Sequence, residues 1–280
     1  MRLLRPAELA FKELPWIASR CIAGFLDPAA VDFYRDLTAG GYEPCRLVNV
    51  LPEHKVIYVT VPKAASTRIR RTLARVEGKP SRSLNPSRQN KYRGPYGPRN
   101  ITVGSFFRLA TSCDTLRFSF VRNPYARTVS CWADKFSSKP LVPGDRFIDI
   151  YLSVRHEIDA ALPAGADCTL SFADFVLFAA GIARARQDIH LQVQDDILNM
   201  PGIELDLIGK VENLDTDFQR VLDHLGASDE IRREAAVAIN KSRHQAWRAY
   251  YTPELAGRIY RAYEADFDRF HYAKSICCNA

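Results

Sequence analysis

The sequence predicts an α/β fold, a central and mostly parallel sheet flanked by helices in three layers. Three observations carry the prediction. A strand, a tight turn and a helix follow one another three times: Val56–Val61 then Thr67–Val76, Leu116–Val121 then Tyr125–Phe136, and Leu205–Val211 then Asp215–Leu225. Strands separated by helices pair in parallel, with helices on both faces. The first run, Val-Ile-Tyr-Val-Thr-Val, is wholly β-branched or aromatic, as a strand buried on both faces should be. Finally, 280 residues with 47% hydrophobic and 25% charged side chains suffice to bury a sizeable core.

The elements follow in order. Residues 1–50 read as helical pieces and loops, broken by Asp27-Pro28 and Gly40-Gly41, that cap a core at 55–272; together they make one domain. Pro62 ends the first strand, because proline has no N–H for a ladder. Residues 79–104 are rich in Pro, Gly, Ser, Asn and Arg, and longer than an ordinary connection, so they read as a lid or an unstructured loop. Ser171 reads as the N-cap of a helix whose Phe172, Phe175, Val176 and Phe178 are at core spacing. A polar turn spans Gln187–Gln194. Gly226 stops the helix after the third strand, and Ser228–Ile239 forms another. Thr252 and Pro253 start the last helix, which carries Leu255, Ile259, Ala262, Tyr263 and Phe267 on one face.

Charge is unevenly distributed. The chain is +7 overall, yet residues 63–99 hold eleven Lys or Arg against Glu77 alone. Such a field suits a polyanionic ligand. No zinc-finger spacing, RNP motif or helix-turn-helix accompanies it, which argues against nucleic acid. The seven cysteines are odd in number and scattered without C-x-x-C, the pattern of a reducing compartment rather than of a disulfide framework or structural zinc. No secretory leader and no membrane span is legible, and the expectation is a cytoplasmic protein.

The chemistry lies where strands end, as in open α/β sheets generally. After Val61 comes Pro62-Lys63-Ala64-Ala65-Ser66-Thr67 and then a helix. Loop amides and the first helical N–H groups converge on a space suited to an oxyanion. Lys63 adds a mobile positive charge, and Ser66 and Thr67 add hydroxyls. After Val121, Arg122 leaves the second strand and Ser130 lies eight residues on, in the following helix. A guanidinium fork with a hydroxyl makes a phosphate clamp. Arg127, in the first turn of that helix, is a further contributor or simply exposed.

These two motifs together resemble a known pair. V-P-K-A-A-S-T is similar to the 5′-phosphosulfate loop of sulfotransferases, and F-V-R-N-P-Y-x-R-x-x-S to their 3′-phosphate motif. The chain resembles the family 2, carbohydrate-type sulfotransferases over about residues 55–272. Softer matches occur at Ile208–Leu214 with Asp217-Phe218, and at Tyr250–Glu254 with Asp266-Phe267. The resemblance implies a P-loop-like fold and the donor 3′-phosphoadenosine 5′-phosphosulfate (PAPS), with 3′-phosphoadenosine 5′-phosphate (PAP) as product. It implies that Lys63, Ala64, Ala65, Ser66 and Thr67 hold the 5′-phosphosulfate and that Arg122 and Ser130 hold the 3′-phosphate. Lys63 would also neutralise the leaving phosphate oxygen. Lys241-Ser242-Arg243 resembles a loop covering the cofactor, so Ser242 and Arg243 join the expected set. No metal is required.

A general base must take the proton of the acceptor hydroxyl. Asp188-x-His190-x-x-x-Gln194 resembles a family turn, and His190 is the candidate. Leu191 stands where a Trp is usual and Val193 where a proline is usual. His54 precedes the first strand, at the wrong end for a site at its carboxyl edge. Glu212 either touches substrate or orients Lys210. The expected acceptor is a hydroxyl on a carbohydrate, an acidic glycan being favoured by the basic loop. Relatives of this type are Golgi enzymes, and the missing anchor sets this chain apart as a cytoplasmic version. Two rivals remain. A P-loop phosphotransferase would need G-x-x-x-x-G-K-[ST], but residues 56–68 contain no glycine. A non-catalytic basic module for anionic glycans or nucleic acid explains residues 63–99 but not Arg122 with Ser130.

Overall fold

The computed structural model describes residues 27–39, 47–78, 101–137, 171–184, 187–237 and 246–276. Its elements are α1 (Pro28–Ala39), β1 (Val48–Leu51), β2 (Val56–Val59), α2 (Ser66–Val76), α3 (Val103–Thr111), β3 (Leu116–Val121), α4 (Pro124–Lys135), α5 (Phe172–Gly181), α6 (Gln194–Leu198), β4 (Leu207–Lys210), α7 (Leu214–His224), α8 (Asp229–Ala236), α9 (Pro253–Ala262) and α10 (Glu264–Arg269). The chain forms two compact units, one of residues 122–195 with 240–280 and one of residues 2–121 with 196–239.

The second unit carries the sheet, in the order β1-β2-β3-β4. β2, β3 and β4 run parallel, with Val59 opposite Ser119 and Val121 opposite Lys210. The expected parallel core is therefore present. β1 pairs antiparallel with β2, Leu51 opposite Val56. This edge strand lies at the end of a stretch expected to be helical pieces and loops. A four-residue run interrupted by Asn49 has too little periodicity to identify. Asn49 is nevertheless buried, because its amide donates to Thr60 Oγ1 at 2.8 Å and to the carbonyls of Leu47 and Tyr58 at 3.3 Å each.

Alternation along the strands decides the two faces. Val56, Tyr58, Phe118 and Phe120 pack against Ile69 and Leu73 of α2 and Phe218, Val221 and Leu222 of α7. Tyr58 stacks on Phe118 with ring centroids 4.9 Å apart, and Phe120 meets Phe218 edge-on at 5.8 Å. On the other face α3 packs against β2 and α1 against α3, where Phe33 meets Phe106 at 5.4 Å. Gly209 faces Phe120 across the ladder, and a Cβ there would lie 2.3 Å from the Phe120 ring, so β4 accommodates only glycine at that point.

The other unit is helical in its described residues. Tyr125 and Val129 of α4, and Phe136 just after it, share a core with Phe172, Phe175 and Val176 of α5, Ile259 of α9 and Phe267 of α10. The caps follow the sequence reading: Ser171 accepts from the Asp174 amide and Thr252 from the Leu255 amide. One expectation is corrected. The last helix is not continuous; it breaks at Tyr263, whose backbone (φ −122°, ψ 24°) leaves the helical region, and restarts as α10. The Tyr263 hydroxyl donates to the Leu191 carbonyl at 2.8 Å. The restart presents Asp266 to the amides of Gln194 and Asp195.

Candidate active site

The loop after β2, expected to be an anion cradle, has an unusual backbone. Lys63 and Ala65 both adopt left-handed backbone, with φ of 68° and 56°, which is costly for residues other than glycine. Strain of that kind is retained where the surroundings over-determine the backbone, and functional loops are its usual home. Ala64 is fully buried between them, and its amide donates to Val61. Helix α2 begins at Ser66 with no side-chain cap at Ala65, so the first-turn amides are available to an external acceptor. Residues 60–72 contain no carboxylate. Amides, two hydroxyls and an ammonium are the kinds of donor a phosphosulfate group takes.

Not all the positive charge near this loop serves a ligand. Arg68 donates to the Ala235 carbonyl and pairs with Asp215, and Arg75 pairs with Glu230 and Glu234 at 3.0 and 2.8 Å. These arginines bind α2 to α7 and α8. The basic residues from Lys79 to Arg99 lie outside the described residues, as do Ser242 and Arg243.

In the other unit, Arg122 follows β3 directly and Asn123 caps α4, accepting from the amides of Tyr125 and Ala126 at 3.0 and 3.3 Å. Pro124 occupies the first helical position, where a missing N–H costs nothing. Ser130 is buried in the second turn of α4. Arg127 is not an exposed residue. It is 3% exposed, and its guanidinium donates to the carbonyls of Gln192 at 2.7 Å and Ile189 at 3.3 Å.

Arg127 thus grips the turn that carries His190. Within that turn Asp188 is buried; one of its oxygens accepts from the His190 amide at 3.0 Å and lies 2.7 Å from His190 Nδ1. An ionised carboxylate only accepts, so Nδ1–H is the donor of this bond. Leu191 and Val193, which depart from the usual pattern, are both buried in the apolar core of the unit, where an aliphatic side chain packs without a partner. Gln194 follows, fully buried. Asp266, also buried, has its carboxyl pushed above the ordinary range by burial, against the opposing pull of the Arg127 charge and the amides of Asp195 and Gln194. Sequence reasoning assigned Gln194 and Asp266 no role beyond motif membership.

The third strand end is less specific. Glu212 is exposed in a short 3-10 turn, and Asp217 rather than Glu212 accepts from the Lys210 amide, at 2.8 Å.

The strand–loop–helix unit at Lys63, the R-N-P turn at Arg122 and the carboxylate-held His190 are the features on which the sequence resemblance rests. The model of the sulfotransferase family matches residues 46–273, and the chain belongs to that family. Sulfotransferases of this family use PAPS as the sulfate donor. The chain is 25% identical over 231 residues to carbohydrate sulfotransferase 11 of Danio rerio, covering 79% of this chain and 65% of the relative. It is 26% identical to carbohydrate sulfotransferase 12 of Mus musculus (79% and 58%) and 27% identical to carbohydrate sulfotransferase 8 of Homo sapiens (81% and 55%). The chain therefore spans less than two thirds of the length of these relatives. No solved structure matches it.

The expected cytoplasmic location is corrected. It rested on the lack of a legible leader or membrane span, and the relatives found are vertebrate carbohydrate sulfotransferases, the type the resemblance associates with the Golgi. Among the described residues no helix is long and apolar enough to cross a membrane, a fact that assigns no compartment.

Proposed function

We propose that the protein transfers a sulfuryl group from PAPS to a carbohydrate hydroxyl, within one sulfotransferase domain of P-loop-like topology. The observation that carries this reading is the loop Pro62–Thr67, with left-handed Lys63 and Ala65 ahead of an uncapped helix start. The parallel order β2-β3-β4 supports it, since β2 and β3 then end at one edge of the sheet. Lys63, Ala64, Ala65, Ser66 and Thr67 take the 5′-phosphosulfate, and Arg122 with Ser130 takes the 3′-phosphate. Ser242 and Arg243 complete the cofactor set on the family motif alone.

PAPS supplies the activated sulfuryl group. Lys63 stabilises the negative charge that develops on the leaving phosphate oxygen. His190 Nε2 takes the proton of the acceptor hydroxyl, while Asp188 holds Nδ1–H and stabilises the imidazolium that forms. The acceptor class rests on the names of the relatives, all carbohydrate sulfotransferases. Residues 79–99 carry six Lys or Arg and no acid, which favours a glycan that is already acidic.

Transfer of labelled sulfate from PAPS to a panel of neutral and acidic glycans and simple alcohols tests the reading, with transfer to a glycan expected. Thermal-shift titration with PAP, PAPS and ATP–magnesium separates the rivals. Stabilisation by ATP–magnesium and not by PAP would overturn it.

A further inference from the structure

Arg122 stands one residue beyond the point where β3 stops pairing with β4, at Val121 opposite Lys210. Its main chain is nevertheless held on both sides. The Gln194 side-chain carbonyl accepts from the Arg122 N–H at 3.0 Å, and the Gln194 side-chain amide donates to the Arg122 carbonyl at 2.9 Å. One primary amide thus does what the next residue of a neighbouring strand would do. Gln194 is itself fixed. Its side-chain amide also donates to Asp266 at 3.1 Å, and its main-chain N–H donates to the same carboxylate oxygen at 3.1 Å. The other Asp266 oxygen accepts from the Asp195 N–H at 2.8 Å. Gln194 and Asp266 are both 0% exposed.

A buried carboxylate and a buried amide are expensive unless bonded, and here they bond to one another, to the main-chain N–H groups of Gln194 and Asp195, and to both sides of the Arg122 backbone. An apolar pair would fill the same space without that cost. What it would not do is fix φ and ψ at Arg122, and hence the direction in which the guanidinium leaves the backbone.

We propose that Gln194, oriented by Asp266, is a positioning residue for 3′-phosphate recognition: it sets the backbone from which the Arg122 guanidinium reaches the phosphate. The proposal deepens the assignment of Arg122 and rests on it. A small error in the direction of a charged clamp is costly, since about 1 Å of misplacement is enough for losses approaching a hundredfold.

The test uses the full chain and two commercial probes, PAP and AMP, which differ only in the 3′-phosphate. The preference for PAP, Kd(AMP)/Kd(PAP) by calorimetry, is the readout. The wild-type protein prefers PAP by at least about tenfold, as charge-assisted hydrogen bonds to a phosphate should give, and Arg122→Ala removes the preference. If either result fails, the assignment of Arg122 is overturned, and this proposal with it. With those two results in hand, Gln194→Met, close in volume but unable to bond either side of Arg122, lowers the preference roughly tenfold while AMP affinity stays within about twofold. In the Arg122→Ala background the same change does nothing further. A merely structural role would weaken both probes alike, and an unchanged preference refutes the proposal. Should Gln194→Met not fold, Asp266→Asn decides on the same criterion, because its amide would oppose the donors of Gln194. Should neither fold, hydrogen exchange in the wild-type protein decides: a protected Arg122 amide supports the clamp, and fast exchange refutes it.

Discussion

Lys63 offers a perturbation whose effects on activity and on folding separate cleanly. Lys63→Ala removes the ammonium proposed above to stabilise the charge developing on the leaving oxygen. Removing one such preorganised group costs about 3–4 kcal/mol in the transition state, or 10²–10³ in kcat. The backbone cost of the position does not change. Lys63 sits at φ 68°, and Ala65, two residues on, already sits at φ 56°, so alanine tolerates this conformation in this very loop. Both side chains bear the left-handed penalty of about 1–2 kcal/mol. Lys63→Gly escapes that penalty and surrenders about 0.5–1 kcal/mol in chain entropy. It should therefore fold at least as stably as Lys63→Ala while losing the same transfer activity. Initial rates with labelled PAPS and thermal unfolding of both variants check this. A kcat within about threefold of wild type in Lys63→Ala would refute the electrostatic role. A Lys63→Gly protein clearly less stable than Lys63→Ala would refute the strain.

Three further outcomes follow from the structure. Gly209→Ala drives a methyl group to 2.3 Å from the Phe120 ring, in a core that cannot yield easily, and should cost roughly 1–3 kcal/mol, read as a lower Tm. Asp188→Asn deprives His190 of the carboxylate on Nδ1 and should lower kcat by about a hundredfold or more, with PAP affinity unchanged in calorimetry. Partial burial raises the Asp206 carboxyl, but hydrogen bonds from the Arg117 guanidinium and amide, with the guanidinium charge, outweigh this and hold it below the ordinary range. The stability this pair contributes is therefore present above the unfolded-state value of about 3.9 and is lost as pH falls through the lower folded value. Acid unfolding of Asp206→Asn should be shallower than that of the wild-type protein below about pH 4.

The sequence made the parallel strands and the cradle legible for the same reason: both are local. Val56–Val61 is β-branched or aromatic throughout, Pro62 stops it, and the residue types that bind an anion lie within six positions of one another. Strand β1 was not legible, because its pairing with β2 and the partners of Asn49 depend on the residues after the turn at 52–55. The continuous last helix was a fair reading of its apolar face, yet the ties of Tyr263 to Leu191 and of Asp266 to Gln194, both 72 positions away, select the break. Local charge counting also overestimated what residues 63–99 offer a ligand. Arg68 and Arg75 are taken by Asp215, Glu230 and Glu234, acids counted in another part of the chain.

The same reasoning explains why Arg127 and Gln194, both named in the sequence motifs, could not be given their structural roles from sequence. Arg127 is bonded to the carbonyls of Ile189 and Gln192, and Gln194 to the main chain of Arg122. Every residue has a carbonyl, so a side chain whose partners are backbone groups 62–72 positions away leaves no complementary residue type in the sequence. Ligand-binding side chains are recognised by their kind; residues that aim them are recognised only by where the fold brings them. The turn at 187–194 joins the two cases. Its one end is gripped by Arg127 and presents His190, and its other end, through Gln194, holds Arg122. Loss of the Arg127 grip, which holds the turn as a whole, should therefore register at His190 and at Arg122 together, whereas Asp188→Asn, which alters a side-chain bond to His190, should register at His190 alone.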